Sequence, residues 1–282
     1  MSYEITLLTT MAISVLFALS LNFISGFCGQ ISLGHAAFLG AGAYTAAMLS
    51  KSGVPFIVTL PAAALVAAVL GGIVGLTSLR VRHDFLAITT MGVGFLFVGI
   101  VRQQEWLGGE IGIAGIPASG FGKAGFMWFC LALAAIFALF CLYVRRTWTG
   151  FVFKSIADNE DVTRLLGIDV ARYKLLAFVI GTSAAGVAGA LYAHHYRFIG
   201  PDSFGFIESI SVLAMVIVGG IGSVWGVAVA AAVLSVLPHL VQFVDDYKLL
   251  VYSGLLFGMM RFAPQGLAGL IGRYVRKGWK ST

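Results

Sequence analysis

Long apolar stretches, separated by short hydrophilic breaks, follow one another along the chain. A bilayer core of about 30 Å is crossed by about 20 helical residues, so an uncharged stretch of about 17 residues or more predicts a membrane-spanning helix. The alternation over about ten residues that is typical of membrane β-barrel strands is absent from the sequence. The pattern predicts an all-α, polytopic helical membrane protein with about eight spans, at residues 5–25, 33–50, 56–79, 85–101, 126–144, 175–193, 209–237 and 249–260.

Glycine-rich segments break this pattern once in each half of the chain. Such a pair of breaks is typical of transporters in which discontinuous helices from two repeated halves form the substrate site. We therefore expect two pseudo-repeated halves, each with a Gly-broken or re-entrant segment. The hinge glycines would be Gly29, Gly34, Gly219, Gly220 and Gly222. The alternative is that these glycines only allow helices to pack closely.

The first break also contains polar side chains between two apolar stretches. Gln30, Ser32 and His35 are candidates for lining a substrate path, because a discontinuous membrane segment offers polar groups to a zwitterion. The alternative is that these side chains satisfy the backbone groups of the broken helix locally.

Basic residues set the expected orientation of the chain. The break at residues 145–174 contains six Lys and Arg residues, and the C-terminal segment 261–282 contains five. By the positive-inside rule both regions are cytoplasmic, which places the loop 102–125 outside. An odd number of crossings must then follow Pro201. One resolution is that the tract 209–237 is broken at its glycines, with one piece that enters and leaves on the same side.

Composition places the chain among membrane proteins. Of its 282 residues, 59% are hydrophobic and 11% are charged, against about 25% charged residues in soluble domains, which excludes a soluble enzyme. The net charge of +6 does not indicate a nucleic-acid partner, because the basic residues lie where they orient the chain and contact membrane lipid. The three cysteines show no metal-binding spacing, and the adjacent His194 and His195 would point in different directions on a helix. The first span lacks a basic leader and is expected to be retained.

Charged residues are absent from the predicted spans, in which His35 is the one imidazole or carboxylate. Because coupled carriers commonly depend on intramembrane acids, this absence disfavours a proton- or ion-coupled carrier. The chain also lacks the GxxxxGK[ST] phosphate loop, and no cofactor is expected. We therefore do not expect an enzyme, and the energy for uphill transport would have to come from another subunit.

The basic break in the middle of the chain predicts a short helix over residues 156–166. Ser155 and Asp158 have the spacing of a capping box, and Glu160 and Arg164 form an i,i+4 pair of favourable polarity. The glycine that follows fits the left-handed residue after a last helical turn. This helix would either dock on a cytoplasmic partner or serve as a solvated connector.

Six blocks of the sequence occur in the order of a known family: residues 25–38, 79–90, 108–117, 158–178, 219–223 and 262–267. They resemble the permease subunits of branched-chain amino acid ABC transporters, particularly those of the LivM type. The chain departs from the family pattern at Ala157, where Arg is usual, and at Phe95, where an acid is common.

The resemblance implies one permease domain, residues 1–282, in a prokaryotic inner membrane, importing branched-chain or other hydrophobic amino acids. A related permease for another small polar solute, such as urea or a sugar, is an alternative. An autonomous channel or secondary carrier is the alternative from a different class.

The implied partners are a LivH-type permease, two cytoplasmic ATP-binding subunits and an extracytoplasmic solute-binding protein. In such permeases a cytoplasmic helix docks on an ATPase and couples it to transport. The corresponding coupling residues here would be Ser155, Asp158, Asn159, Glu160, Arg164 and Gly167.

Overall fold

The computed structural model describes residues 2–78, 83–240 and 247–263, together with 266, 267 and 269. Eleven helices occur within these residues: α1 Ser2–Asn22, α2 His35–Lys51, α3 Phe56–Ser78, α4 His83–Gln103, α5 Gly122–Arg145, α6 Trp148–Asp158, α7 Glu160–Leu165, α8 Val170–Tyr196, α9 Phe206–Gly219, α10 Val224–Leu240 and α11 Lys248–Phe262. Pro264, Gln265 and most of the basic C-terminal segment predicted to be cytoplasmic lie outside the described residues, as do Arg80 and Arg82.

Shorter elements join some of the helices. A π-helical turn, Phe23–Phe27, follows α1, and 3-10 turns occupy Glu105–Leu107 and Pro201–Phe204. The strands β1 Ile113–Ala114 and β2 Phe198–Ile199 form an antiparallel ribbon in which Ile113 lies opposite Ile199.

The helical membrane architecture predicted from the apolar pattern is confirmed. Six helical segments of the described chain are long and apolar enough to cross a membrane. The helices α2, α10 and α11 are shorter, with 17, 17 and 15 residues. The predicted tract 209–237 proves to be two helices, and the predicted spans at 33–50 and 249–260 correspond to the shorter helices α2 and α11.

The centre of the bundle is formed by α1, α2 and α8. Helix α8 packs along α2 and α3, and α1 packs against α5, α8 and α10. A methyl group added at Gly42 would overlap the carbonyl of Gly186, and one added at Gly189 would overlap the carbonyl of Leu39. Close helix packing is therefore the role of these glycines, which lie away from the two breaks.

Contacts between the helices define two ends of the bundle. At the β1–β2 end, Tyr3 donates a hydrogen bond to the carbonyl of His239 at 3.3 Å, and Arg102 forms an ion pair with Asp202. At the α6–α7 end, the ring of Phe23 packs edge-on against that of Phe153, with 5.7 Å between centroids. Helix α1 therefore starts at the β1–β2 end and finishes at the α6–α7 end.

The last three helices show how often the chain passes between the two ends of the bundle after Pro201. Helix α9 starts near Asp202 at the β1–β2 end, and α10 returns to that end, where the His239 carbonyl accepts from Tyr3. Helix α11 starts there too, because Lys248 forms an ion pair of 2.7 Å with Glu208 in the first turn of α9. The predicted glycine break in the tract 209–237 is observed, but α9 and α10 each run between the two ends, so neither piece enters and leaves on the same side. Three helices follow Pro201 within the described residues.

Candidate functional site

The first broken segment connects α1 to α2 through backbone that is held by nearby side chains. The Ser25 hydroxyl donates to the Gln30 carbonyl at 2.9 Å, and Gly29 has a φ of 71°, which favours glycine. The amide of Leu33 donates to the Thr90 hydroxyl at 3.0 Å. The break is therefore a defined extended segment that enters the bundle between α1 and α4.

The second broken segment separates α9 from α10. Gly220 and Gly222 have φ values of 102° and 82°, a conformation that other residues rarely adopt. Ser223 follows them, and its hydroxyl accepts from the amide of Gly226 at 3.1 Å, as an N-cap of α10 does. The predicted glycine break is thus observed as a tight reversal between two antiparallel helices.

The two breaks touch each other, which the sequence did not reveal. The amide of Gly222 donates to the Asn22 side-chain oxygen at 2.9 Å. A methyl group added at Gly26 would overlap this Asn22 oxygen and lie 2.5 Å from the Gly222 nitrogen. Asn22 is fully buried, and its side-chain nitrogen has no hydrogen-bond partner among the described residues. The contact requires glycine at position 26 and uses one buried amide as its link.

The predicted coupling helix is wrong in its boundaries. Residues 156–166 are divided between α6 and α7, and the division is at Asn159, which has extended backbone angles. The Asn159 side chain accepts from the amide of Val162 at 3.1 Å and caps α7. Ser155 lies inside α6 and bonds to Thr163 at 2.8 Å, so it is not a cap. Asp158 ends α6, and the predicted capping box fails because Asn159 supplies the cap instead.

Other local predictions for this segment are confirmed. Glu160 and Arg164 form an ion pair of 2.7 Å, and Gly167 has a φ of 79° after the end of α7. Glu160 also bonds to Lys174 in α8, and the two side chains are only 16% and 11% exposed. Glu160 therefore ties α7 to α8 and is mostly buried, and its role in coupling stays a prediction.

The surface that α7 presents to its surroundings is apolar. Val162, Leu165 and Leu166 have i, i+3 and i+4 spacing, and their side chains are exposed. The exposed fractions of Leu165 and Leu166 are 87% and 69%. These residues were not among those predicted from the sequence, although an apolar stripe inside a hydrophilic break was a signal for a helix that docks in a groove.

Helix α6 connects this surface to the breaks. The Cα of Ala157 lies 3.0 Å from the position that a Cβ on Gly29 would occupy. The Gln30 side chain donates to the carbonyl of Lys174 at 3.0 Å, next to the Glu160 ion pair. A cavity of about 590 Å³ opens between the two breaks and α6, and it is lined by Gly26, Gly222, Arg145, Lys154 and Asp158 among others. The predicted hinge glycines Gly29, Gly220 and Gly222 thus lie near α6 and Asp158 at the α6–α7 end, whereas Gly34 packs against Thr90 of α4.

The predicted path residues are enclosed. Gln30, Ser32 and His35 are buried. The ring nitrogen Nε2 of His35 lies 2.8 Å from the Ser20 hydroxyl, and the imidazole stacks on Phe17 with 5.3 Å between centroids. Gln30 and His35 bond to neighbouring elements, whereas the buried Ser32 hydroxyl has no hydrogen-bond partner among the described residues. Their role as path residues stays a prediction.

A second cavity, of about 350 Å³, lies at the β1–β2 end between α1, α8, α9, α10 and α11. Glu208 and Lys248 form their ion pair on its wall, and both side chains are 30% exposed. In the sequence these two charges lie one residue before the apolar stretches 209–237 and 249–260. In the structure they lie in the first turns of α9 and α11 and face each other.

Comparison with known proteins identifies relatives along nearly the full chain. Residues 4–260 match the family described as "Branched-chain amino acid transport system / permease component". The chain is 33% identical to the high-affinity branched-chain amino acid transport system permease protein LivM of Salmonella typhimurium, over 94% of this chain and 69% of the relative.

Two further relatives come from Escherichia coli K12. The chain is 34% identical to the LivM protein of that organism, over 92% of this chain and 68% of the relative. It is 30% identical to the LivH permease protein of the same transport system type, over 45% of this chain and 42% of the relative. No solved structure gives a significant match to the chain.

Proposed function

Because this chain belongs to the family of permease components of branched-chain amino acid transport systems, we propose that it is the transmembrane permease subunit of an ATP-driven importer. Its substrates would be branched-chain amino acids. The chain itself makes and breaks no bond; it forms the path through the membrane and is driven by separate ATP-binding subunits.

The observation that carries this proposal is the connection of an exposed apolar helix to both broken segments. Helix α7 presents Leu165 and Leu166 outward, while Glu160 on the same helix bonds to α8. The Ser155–Thr163 hydrogen bond joins α7 to α6. Force applied to α7 would therefore be transmitted to α6 and α8 rather than absorbed by a loose connector.

The breaks are the proposed moving parts. Displacement of α6 would reach the first break through the Ala157–Gly29 contact. It would reach the second break through the hydrogen bond between Asn22 and Gly222. Two packed arrangements of this junction, one favoured when the ATPases close, would give alternating access.

The orientation follows from the basic residues at the α6–α7 end. Arg145, Arg146 and Lys154 lie in and around α6, and Arg172 and Lys174 start α8. The positive-inside rule makes this end cytoplasmic and the β1–β2 end external. The proposed partners are a LivH-type permease in the prokaryotic inner membrane, two ATP-binding subunits on α7 and its counterpart, and a solute-binding protein at the β1–β2 end.

Reconstitution in liposomes tests the proposed function. We expect the chain alone neither to hydrolyse ATP nor to take up L-leucine, because energy enters through partner subunits. Together with the proposed partners it should support leucine uptake that requires ATP hydrolysis, with a non-hydrolysable ATP analogue as the control. ATP-independent leucine uptake by the chain alone would contradict the proposal and favour an autonomous channel.

Thiol labelling of intact cells tests the orientation. The three native cysteines are buried, so a membrane-impermeant maleimide should react mainly with an introduced thiol. We expect Ile111→Cys, at the β1–β2 end, to be labelled in intact cells. Val162→Cys, on α7, should be labelled only after permeabilisation. The reverse pattern would place α7 outside and would remove the basis for ATPase docking.

A further inference from the structure

The cavity at the β1–β2 end combines opposite charges with an apolar floor. Glu208 and Lys248 line it with side chains that form an ion pair of 2.7 Å and remain partly exposed, and a second acid in the lining, Asp202, pairs with Arg102. Its floor is formed by Phe17, Leu39 and Met215. The helical rise of 1.5 Å per residue puts Met215 about 10 Å deeper along α9 than Glu208. The cavity therefore changes from charged to apolar along its depth.

This gradient matches one class of ligand. A hydrophobic amino acid carries an ammonium and a carboxylate at one end and an apolar side chain at the other. Its ammonium has a partner in Glu208 and its carboxylate has a partner in Lys248, through charge-assisted hydrogen bonds. Because a partly exposed ion pair contributes little to stability, Glu208 and Lys248 can separate to receive the ligand. The volume of about 350 Å³ lies within the range of small-ligand sites.

A neighbouring cavity at the same end lacks this combination. It has a volume of about 470 Å³ and is lined by Lys123, His194, His195 and Arg197 among others. None of the described residues that line it carries a carboxylate. It therefore offers no anionic partner for an ammonium group. The cavity lined by Glu208 and Lys248 offers a partner for each charged group of an amino acid.

The floor of the selected cavity lies directly above the moving parts. Phe17 stacks on the imidazole of His35, at the start of α2. Leu39 is one turn further along α2, and Met215 is one turn before Gly219 of the second break. Rearrangement of the breaks would therefore move the floor of the cavity.

We propose that this cavity is an external binding site for the zwitterion of a hydrophobic amino acid, with Glu208 and Lys248 as its charged ends and Phe17, Leu39 and Met215 as its side-chain pocket. The inference rests on the proposed function and adds a site within this chain. The breaks below form the closed floor of the site, and their rearrangement releases the ligand toward the α6–α7 end.

Direct binding to the complete permease–ATPase complex in nanodiscs, without the solute-binding protein, tests the pocket. Met215→Phe should weaken L-leucine binding by about tenfold or more, since added bulk fills the floor, while the smaller L-alanine should be affected less. Val233→Phe, on the exposed face of α10, is the matched control and should leave both affinities unchanged. Equal effects of Met215→Phe on leucine and alanine, or no effect, would overturn the pocket.

Charge deletion gives an independent readout that a purely structural ion pair would not produce. Lys248→Gln should weaken leucine binding but leave isoamylamine, which lacks the carboxylate, unchanged. Glu208→Gln should weaken leucine binding but leave 4-methylpentanoate, which lacks the ammonium, unchanged. Equal weakening of both analogues in each variant would show that the pair only clamps α9 to α11.

The two proposals fail in different ways. If the wild-type complex takes up leucine with ATP but the pocket variants bind leucine normally, the site is wrong and the transport function stands. If the wild-type complex shows no ATP-driven leucine uptake, the proposed function itself fails.

Discussion

Leu165→Asp and Leu166→Asp are each expected to detach the ATP-binding subunits while the chain still inserts and folds. Both side chains are mostly exposed on α7, so their replacement should change the free energy of folding by only about 0.5 kcal/mol. At a docking surface the same change removes the burial of a leucine, worth about 1.5–3 kcal/mol. It also places a charge in an apolar groove. We expect the affinity for the ATPase to fall by about 30-fold or more.

Ile111→Asp is the matched control for ATPase co-purification. Uptake is not compared with this variant, because Ile111 lies at the end where the solute-binding protein is proposed to dock. Ile111 is 83% exposed, close to the 87% of Leu165, but it lies at the β1–β2 end. The measurements are abundance in membranes, co-purification of the ATP-binding subunits and ATP-driven leucine uptake. Normal ATPase co-purification and uptake in both α7 variants would show that α7 is a solvated connector and would refute the coupling assignment.

The spans and the breaks were predictable from the sequence because both depend on local composition. A stretch long enough to cross the bilayer is apolar throughout, and glycines with positive φ interrupt helices wherever they cluster. A break at Gly219–Gly222 was also predictable, since charge in the loops constrains the direction of each span.

The contact between the breaks was not predictable, because it joins residues far apart in the chain. In the sequence Asn22 is a single polar residue near the end of an apolar span. In the structure its side-chain oxygen accepts a hydrogen bond from the amide of Gly222. The same limit applies to Glu208 and Lys248, which lie 40 residues apart and meet only through the packing of α9 and α11. Pairing of single charges across helices has no local signature.

The coupling segment shows how local rules compete. Ser155 and Asn159 both precede plausible helix starts, and side chains of either type can cap a helix. Packing decides between them: Phe153 and Ile156 are buried, so α6 continues through Ser155, and the chain turns at Asn159 instead. Glu160 was predicted to pair with Arg164, but a single sequence does not show that Lys174 lies beside it as well.

Gly26→Ala is expected to impair transport more strongly than it impairs membrane insertion. The added methyl group would overlap the Asn22 side-chain oxygen and press against the Gly222 nitrogen. Overpacking of this kind costs about 1–3 kcal/mol. The strain falls on the arrangement in which the two breaks touch, and separation of the breaks relieves it. The equilibrium between arrangements would therefore shift by about 5- to 150-fold.

Gly254→Ala separates this effect from a general loss of glycine. Gly254 lies on α11 with open space around its Cα, so an added methyl group meets nothing and alanine also favours the helix. We expect Gly254→Ala to transport like the wild type.

Gly26→Ala should accumulate in membranes and retain its ATPase partners, but ATP-driven leucine uptake should fall by about fivefold or more. Because ATPase binding depends on α7 rather than on the junction, retained assembly with lost uptake assigns the defect to the breaks. Normal uptake by Gly26→Ala would mean that the breaks need not touch during transport, and the junction would then be a packing contact rather than a moving part.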